Sequence, residues 1–167
     1  FYNQYKNKKV LVTGHTGFKG TWLTTWLVLL GAKVTGLSLN IPTNPSHFKV
    51  IKLHKKVNHK QADIRNLKLL KKFIKKNQPD YVFHLAAQAI VKKSYSNPIY
   101  TWETNTIGTL NILESLRELK QVCSVVIITS DKCYDNVEWE WGYRENDTLG
   151  GPDPYSASKG AAELAVK

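Results

Sequence analysis

The 167-residue chain has no methionine, only two cysteines, and only 13 acidic residues against 24 lysines and arginines. Cys123 and Cys133 lie ten positions apart without metal-ligand spacing, so a disulfide scaffold is excluded and a reduced, cytoplasmic protein is favoured. Because methionine is absent and no helix stop signal precedes Lys167, we expect a fragment, cut at least at its C-terminal end. The length predicts one domain over residues 1–167.

Long hydrophobic runs are also absent. The most apolar helical stretch, TWLTTWLVLLGA, is too short and too rich in threonine to span a bilayer, and the first ten residues lack the apolar core of a signal peptide. The net charge of +11 could attract nucleic acid or lipid, but the lysines are spread over predicted helix faces without interleaved aromatic residues. We therefore expect neither a nucleic-acid nor a membrane partner.

The most informative stretch is VLVTGHTGFKGTWL, residues 10–23, in which a β-branched run precedes Gly14, Gly17 and Gly20 and an apolar helical pattern follows. This order predicts a buried strand, a tight glycine loop and a helix N-terminus. The unpaired backbone N–H groups and the positive end of the helix dipole suit a pyrophosphate. A glycine triplet alone would also fit an ordinary turn, but its place between a strand and a helix favours dinucleotide binding.

Predicted strands alternate with predicted helices along the chain. This alternation predicts an α/β fold with a doubly wound parallel sheet, in which ligands bind at the carboxyl ends of the strands. The predicted strands are 9–13, 33–38, 57–62, 80–87 and 122–130, the last as a central strand, and the predicted helices are 19–31, 46–53, 66–77, 99–119 and 154–167. Residues 94–98 and 131–153 are predicted loops.

Two clusters of reactive side chains follow the last predicted strand. Tyr155 and Lys159 are four residues apart at the start of a helix, so both lie on one face, where the ammonium would stabilise a phenolate and the pair would relay a proton. A surface pair on one helix face is the alternative. Ser130, Asp131 and Lys132 offer a hydroxyl, an acid and an amine directly after the strand, although serine and aspartate also open turns.

Three further positions have both a functional and a structural interpretation. Asp63 could bind an adenine amino group or cap the following helix. His84 is expected to be a buried structural histidine. Asn105 could fix the backbone near the proton relay, or it could only pack in the core.

Together these motifs resemble the extended short-chain dehydrogenase/reductases. The resemblance rests on the glycine triplet, Asp63-Ile64, His84-Leu85-Ala86-Ala87, Asn105-x-x-Gly108-Thr109 and Tyr155-x-x-x-Lys159, in that order. Within that superfamily, TSDKCYDN and WGYRENDTLGGPDPYSASKGAAEL resemble the CDP-glucose 4,6-dehydratases. The related dTDP-glucose and GDP-mannose dehydratases carry a glutamate where this chain has Lys132.

The resemblance implies a nucleotide-sugar lyase with an internal redox cycle at bound NAD. C4 of the glucosyl unit of CDP-glucose is oxidised, water is lost across C5 and C6, and C6 is then reduced to give CDP-4-keto-6-deoxyglucose. Tyr155, supported by Lys159 and Ser130, would take the C4 hydroxyl proton, Asp131 would protonate the departing C6 hydroxyl, and Lys132 would act as the C5 base. Alternatives are another nucleotide-sugar dehydratase or epimerase, and a non-catalytic NAD-binding protein.

The resemblance also implies which residues bind cofactor and substrate. No acidic residue ends the second predicted strand, so Ser38 or Asn40 would bond the ribose, and no arginine is present there for a 2′-phosphate. The implied cofactor residues are Gly14, Thr16, Gly17, Phe18, Gly20, Asp63, Ile64, Leu85, Ala86, Ala87, Asn105, Tyr155 and Lys159; the substrate residues are Gln88 and Ser130; no metal is implied. We expect the substrate pocket to be completed beyond Lys167, the 167-residue chain alone to be inactive, and the full-length protein to form a homodimer through helices 99–119 and 154–167.

Overall fold

The computed structural model describes residues 3–167, and its main element is a parallel sheet of five strands. The strands are β1 Lys9–Thr13, β2 Lys33–Ser38, β3 Asn58–Gln61, β4 Tyr81–His84 and β5 Ser124–Ile127. Their order is β3-β2-β1-β4-β5, so the predicted doubly wound parallel sheet is confirmed. The order reverses at β1, where Thr13 is paired in register with Leu37 on β2 and with His84 on β4. The carboxyl ends of strands at such a reversal form the usual ligand crevice.

Helices connect the strands, and one more helix follows the last strand. They are α1 Phe18–Leu29, α2 His47–Val50, α3 Leu67–Asn77, α4 Val91–Ser96, α5 Pro98–Trp102, α6 Gly108–Leu116 and α7 Pro154–Val166. Short 3-10 turns lie at Leu53–Lys55 and Asp131–Cys133, and a π-helical segment, Glu103–Ile107, joins α5 to α6. None of the helices between residues 3 and 167 has the length and hydrophobicity that a bilayer-spanning segment requires.

The chain divides into two compact units. The first comprises the residues up to Ala86 together with Asn111–Ile128, and it contains the whole sheet with α1, α2 and α3. The second comprises Ala87–Leu110 and Thr129–Lys167, and it contains α4, α5, the π-helical segment and α7. The prediction that residues 1–167 belong to one domain stays a prediction.

The sheet of the first unit buries apolar side chains on both faces. Val10 and Val12 pack with Leu27 of α1, whereas Leu11 between them packs with Leu70 of α3. Side chains of a strand alternate between its two faces, so one continuous apolar run can fill two cores. This is why β1 has no polar residue between its first and last positions.

The expectation that the fifth strand is central is wrong for the part of the chain that the structure describes. There β5 pairs with β4 alone, at the edge of the sheet. Val125 and Val126 remain 37% and 44% exposed. An apolar run indicates that a strand is suited to burial, but it does not identify the residues that cover the strand.

The predicted loop at 94–98 is wrong, because most of it belongs to α4, Val91–Ser96. The Asn-Pro pair that suggested a loop instead begins α5. The Asn97 side chain accepts a hydrogen bond from the Tyr100 N–H at 3.3 Å, and Pro98 occupies the first helical turn, where its missing N–H is not needed. The single helix predicted at 99–119 is α5, the π-helical segment and α6, which ends at Leu116.

Other boundaries differ by a few residues. The apolar runs predicted as strands at 80–87 and 122–130 extend beyond β4 and β5, because hydrophobic composition continues past the last ladder hydrogen bond. Helix α1 ends at Leu29, and Gly31 turns the chain at φ +80°. The short helix predicted at 46–53 is α2, capped by Ser46 as expected.

Asp63 does not cap α3, so this structural alternative is wrong. The cap is Asn66, whose side-chain oxygen accepts a hydrogen bond from the Leu69 N–H at 3.0 Å. Asp63 instead forms an ion pair with Arg65, with Oδ2 and Nη2 2.7 Å apart. Both residues are good capping types, and only the backbone path selects between them.

We expect Asn66→Ala to lower the free energy of unfolding by about 1 kcal/mol, because the Leu69 N–H in the first turn of α3 loses its acceptor. Urea unfolding measures the loss, and amide hydrogen exchange at Leu69 should become faster. Asp63→Ala is the control: it removes a partly exposed ion pair, typically about 0.5 kcal/mol, and leaves exchange at Leu69 unchanged. Faster exchange at Leu69 in Asp63→Ala would contradict the assignment.

Candidate active site

Gly14 is the point at which the chain turns away from β1. Its φ of +74° lies in the region that favours glycine, and a Cβ there would be 2.7 Å from the Ala86 nitrogen and 2.8 Å from the Leu85 carbonyl carbon. The Thr13 hydroxyl accepts hydrogen bonds from the N–H groups of Leu85 and Ala86, both at 3.2 Å, and lies 2.6 Å from Nδ1 of His84. The ends of β1 and β4 therefore meet backbone to backbone, and His84 is the buried structural histidine that was expected.

The N-terminus of α1 follows this turn directly. Gly17 is its N-cap residue, no side chain of residues 3–167 caps the helix, and its first turn holds no acidic residue. Gly20 packs so closely on the Gly14 carbonyl that a Cβ would overlap it, and the first helical residue, Phe18, is exposed. Uncapped N–H groups beside glycine backbone form a surface to which an anionic group can bind.

His15 connects the glycine loop to β2 and β3. Its Nδ1 lies 2.8 Å from the Ser38 hydroxyl and its Nε2 lies 2.7 Å from Nδ1 of His59. The ring is fully buried, lies over Gly36, and meets the Phe48 ring edge to face at 5.3 Å. Burial and the repulsion from His59 lower the pKa of His15 to about 4, so the imidazole is neutral at pH 7.

Of the two residues expected to bind a ribose, Ser38 is already bonded through its hydroxyl and Asn40 through its backbone carbonyl. Ser38, whose hydroxyl contacts His15, also accepts a hydrogen bond from the Thr16 N–H at 3.4 Å. The Thr16 hydroxyl donates to the Asn40 carbonyl at 2.6 Å. These bonds fix the loop to the end of β2, and a contact between Ser38 or Asn40 and a ribose stays a prediction.

Asp63 has a partly exposed side chain paired with Arg65, whereas the side chain of Ile64 is buried. Arg65 donates to both carboxylate oxygens of Asp63, and these hydrogen bonds hold its pKa below the ordinary value. Ile64 is buried in the core, and its carbonyl accepts a hydrogen bond from Asn111 Nδ2 at 3.1 Å. The partly exposed Asp63 carboxylate is thus ionised and already paired, and its predicted contact with adenine stays a prediction.

In the second unit, Asn105 bonds two separate segments. Its Oδ1 accepts from the Gln88 N–H at 2.8 Å, and its Nδ2 donates to the Gln88 carbonyl at 3.1 Å and to the Ser158 hydroxyl at 2.9 Å. The Ser158 hydroxyl donates in turn to the Tyr155 carbonyl at 2.7 Å. Asn105 therefore fixes the backbone that follows Ala87 and the first turn of α7. It lies in a π-helical segment, a feature common at functional sites.

The Gln88 side chain is engaged within the same unit. Its Oε1 accepts from the Ile90 N–H at 2.7 Å, and its Nε2 donates to the Ile90 carbonyl at 3.1 Å and to the Thr101 hydroxyl at 3.0 Å. These bonds begin the turn into α4. The predicted contact of Gln88 with substrate stays a prediction.

Asp153 sets the position of Tyr155 and Lys159 by capping α7. One carboxylate oxygen accepts from the N–H groups of Tyr155 and Ser156 at 2.9 and 3.0 Å, and the other accepts from the Ser156 hydroxyl at 2.6 Å. Burial alone would raise the pKa of Asp153, but these hydrogen bonds, aided by the charge of Lys132, outweigh it and lower the pKa. Tyr155 and Lys159 are both buried, one helical turn apart.

Ser130, Asp131 and Lys132 form one tight turn. The Ser130 hydroxyl donates to Asp131 Oδ1 at 3.0 Å and accepts from the Lys132 N–H at 3.2 Å, while the two charged side chains are exposed. The turn packs against α7. The second unit thus brings together the elements that carry all five predicted catalytic residues.

The model of the family described as GDP-mannose 4,6 dehydratase matches residues 11–167. This chain belongs to that family. It is 51% identical to the CDP-glucose 4,6-dehydratase of Salmonella typhimurium, over 98% of this chain and 46% of the relative. It is 31% identical to the CDP-paratose 2-epimerase of Salmonella typhi, over 93% of this chain and 51% of the relative. The chain spans about half the length of the curated relatives it matches.

Two solved structures have the same fold. The epimerase Mth375 of Methanothermobacter thermautotrophicus superposes with a TM-score of 0.85 at 30% identity, over 99% of this chain and 48% of that one. The UDP-glucose 4-epimerase of Thermus thermophilus, solved in complex with NAD, superposes with a TM-score of 0.82 at 30% identity, over 95% and 49%. The resemblance to the extended short-chain dehydrogenase/reductases, and within them to the CDP-glucose 4,6-dehydratases, is confirmed as a resemblance.

Sequence reasoning missed several residues that organise these sites. Asp153 was recognisable, because an aspartate before Pro154 is a helix-start signal. His15 was not, since its partners Ser38 and His59 lie 23 and 44 positions away. Glu163, which accepts a hydrogen bond from the Thr129 hydroxyl, gave no local signal either.

We expect acid to destabilise the first unit through His15. Its folded-state pKa of about 4 lies below that of an unfolded histidine, about 6.5, so the unfolded chain binds more protons between these values. The contribution of neutral His15 is complete above pH 6.5 and is lost as the pH falls toward 4, by about 2 kcal/mol between pH 7 and pH 5. Urea unfolding of wild type, His15→Gln and the exposed control His54→Gln at several pH values measures it. An unchanged pH dependence in His15→Gln would refute this role.

Proposed function

We propose that this chain is the dinucleotide-binding, N-terminal half of a CDP-glucose 4,6-dehydratase. The observation that carries the proposal is the Ser130–Lys132 turn packed on the helix that bears Tyr155 and Lys159. A serine, an acid and an amine beside a tyrosine-lysine pair supply the groups that an oxidation and an elimination on one sugar require. The 51% identity to the Salmonella CDP-glucose 4,6-dehydratase supports the substrate.

We infer that the cofactor is NAD. The uncapped N-terminus of α1 and the close backbone approach at Gly14 and Gly20 fit a pyrophosphate. The NAD named for the similar Thermus thermophilus epimerase supports the dinucleotide. When bound there, NAD would supply reversible hydride transfer, with the sugar first as donor and later as acceptor. The end of β2 offers Ser38 and no arginine, which favours NAD over NADP.

In the proposed oxidation, Tyr155 removes the proton of the sugar C4 hydroxyl as the C4 hydride leaves. A phenol is a weak acid, so its base form must be stabilised, and the Lys159 ammonium one turn along α7 supplies a positive charge. Burial of both side chains excludes water that would weaken this interaction. Ser130 would donate a hydrogen bond to the C4 oxygen.

In the proposed elimination, the 4-keto group acidifies the C5 proton, which passes to the Lys132 side chain as the base. Asp131, as the proposed acid, gives a proton to the C6 hydroxyl, which leaves as water. When C6 is reduced, Lys132 returns its proton to C5. The proton gained by Tyr155 and the proton lost by Asp131 balance over one turnover.

We further propose that the enzyme is a cytoplasmic homodimer. Exposed apolar side chains on the helices of the second unit, Ile99, Ile107, Leu110 and Leu164, support pairing of these helices across a dimer axis. The two cysteines, Cys123 and Cys133, are both free, as expected in a reducing compartment.

The proposal is tested with a chain extended to the length of its relatives, incubated with NAD and with CDP-glucose, dTDP-glucose or GDP-mannose. We expect the alkali-absorbing 4-keto-6-deoxy product from CDP-glucose. Product from another nucleotide sugar instead would identify a different dehydratase, and an epimeric sugar would identify an epimerase. No change in any sugar would leave a non-catalytic NAD-binding protein and refute the enzyme.

Variants at two positions separate the two halves of the reaction. Tyr155→Phe should lower kcat by about 10²-fold or more, because the C4 proton loses its acceptor. Lys132→Arg stays charged and cannot accept the C5 proton, so product formation should fall similarly while reduced cofactor accumulates, seen by its ultraviolet absorbance. The exposed Lys120→Arg is the matched control. Normal elimination by Lys132→Arg would show that Lys132 is not the base.

A further inference from the structure

Thr129, the residue just before the Ser130–Lys132 turn, is hydrogen-bonded to Glu163 of helix α7. The Thr129 hydroxyl donates a hydrogen bond to Glu163 Oε1, and both side chains are partly buried. Glu163 lies four positions after Lys159 and eight after Tyr155, so the three side chains share one face of α7. A hydrogen bond to a carboxylate is stronger than one between neutral groups.

A second contact holds the other end of the turn to the same helix. The Cys133 carbonyl accepts a hydrogen bond from the Gly150 N–H at 2.8 Å and packs against Gly160, where a Cβ would be 3.2 Å away. Gly160 and Glu163 are three residues apart and lie side by side on α7. Thr129 is therefore hydrogen-bonded to the helix of Tyr155, and Cys133, on the other side of the turn, packs closely against the same helix.

We propose that Glu163 is a positioning residue, which through Thr129 holds the Ser130–Lys132 turn in register with Tyr155 and Lys159. This rests on the proposed dehydratase function. Glu163 contacts the hydroxyl that precedes the turn, so its action on Ser130, Asp131 and Lys132 is indirect. Without the hydrogen bond between Glu163 and Thr129, the contact of Cys133 with Gly160 would let the turn pivot about Cys133. Reacting groups displaced by about 1 Å can lose about 10²-fold in rate.

The first test compares Glu163→Ala with Glu163→Gln in a chain extended to the length of its relatives. Glu163→Ala should lower kcat on CDP-glucose by about tenfold or more with little change in KM, since substrate binds while the turn is misplaced. Glu163→Gln keeps an acceptor oxygen and should restore kcat to within about threefold of wild type. Glu140→Ala, which removes an exposed acid, is the matched control and should keep wild-type kcat.

The second test addresses Thr129, the donor of the hydrogen bond to Glu163. Thr129→Val removes the hydroxyl at nearly constant volume and should match Glu163→Ala, whereas Thr129→Ser keeps the hydroxyl and should match wild type. The double variant Thr129→Val/Glu163→Ala should be no slower than the slower single variant, because both remove the same hydrogen bond. If Glu163→Ala fails to fold, as judged by its thermal unfolding and NAD binding, the two Thr129 variants decide.

Three results would overturn the inference: wild-type kcat in Thr129→Val, a Glu163→Gln variant as slow as Glu163→Ala, or additive losses in the double variant. An inactive wild-type protein would instead refute the proposed function. In that case a crystal structure of Thr129→Val still tests the inference. A displaced Ser130–Lys132 turn supports it, and an unmoved turn refutes it.

Discussion

The approach of the Gly14 backbone to the backbone of Leu85 and Ala86 determines how the sheet ends at its reversal point. A side chain at Gly14 would meet the Ala86 nitrogen at 2.7 Å, so any other residue would force β1 and β4 apart. Because no side chain separates the ends of β1 and β4, the Thr13 hydroxyl can accept hydrogen bonds from the N–H groups of Leu85 and Ala86. The glycine loop is then free to enter α1 with its N–H groups uncapped. One missing Cβ therefore determines how β1, β4 and the N-terminus of α1 meet at this end of the first unit.

The second unit is stabilised differently. Within the described residues its buried hydrophobic side chains are Cys133, Tyr155 and Ala162, whereas many of its buried side chains are polar. Asn105 and Asp153 supply several hydrogen bonds each, so most of these groups are satisfied. Satisfied buried networks favour one geometry, because each alternative arrangement leaves a polar group without a partner. Such a network fixes the elements that carry the proposed proton-transfer groups more closely than an apolar core would.

Local patterns predicted β1 and β2 to the residue, because strand periodicity and the glycines that follow are read from adjacent positions. The same holds for Tyr155 and Lys159, which one helix keeps together. The sequence could not show which of two equally good capping residues is used. It also could not show which residues far apart along the chain are in contact. Asp63 and Asn66 are equally good caps three residues apart, and only the path of the chain selects Asn66. The bonds of His15 to His59 and of Thr129 to Glu163 join residues 44 and 34 positions apart, which no periodicity encodes.

The strand that precedes the Ser130–Lys132 turn also has a physical consequence of its own. In the described part of the chain, β5 has one hydrogen-bonded neighbour, and its valines face solvent without a lysine or proline among them. An edge of this kind is a template for any extended segment that meets it, including the same strand of another molecule. This four-residue edge is therefore the place where these 167 residues in isolation are expected to associate, against the repulsion of a +11 net charge.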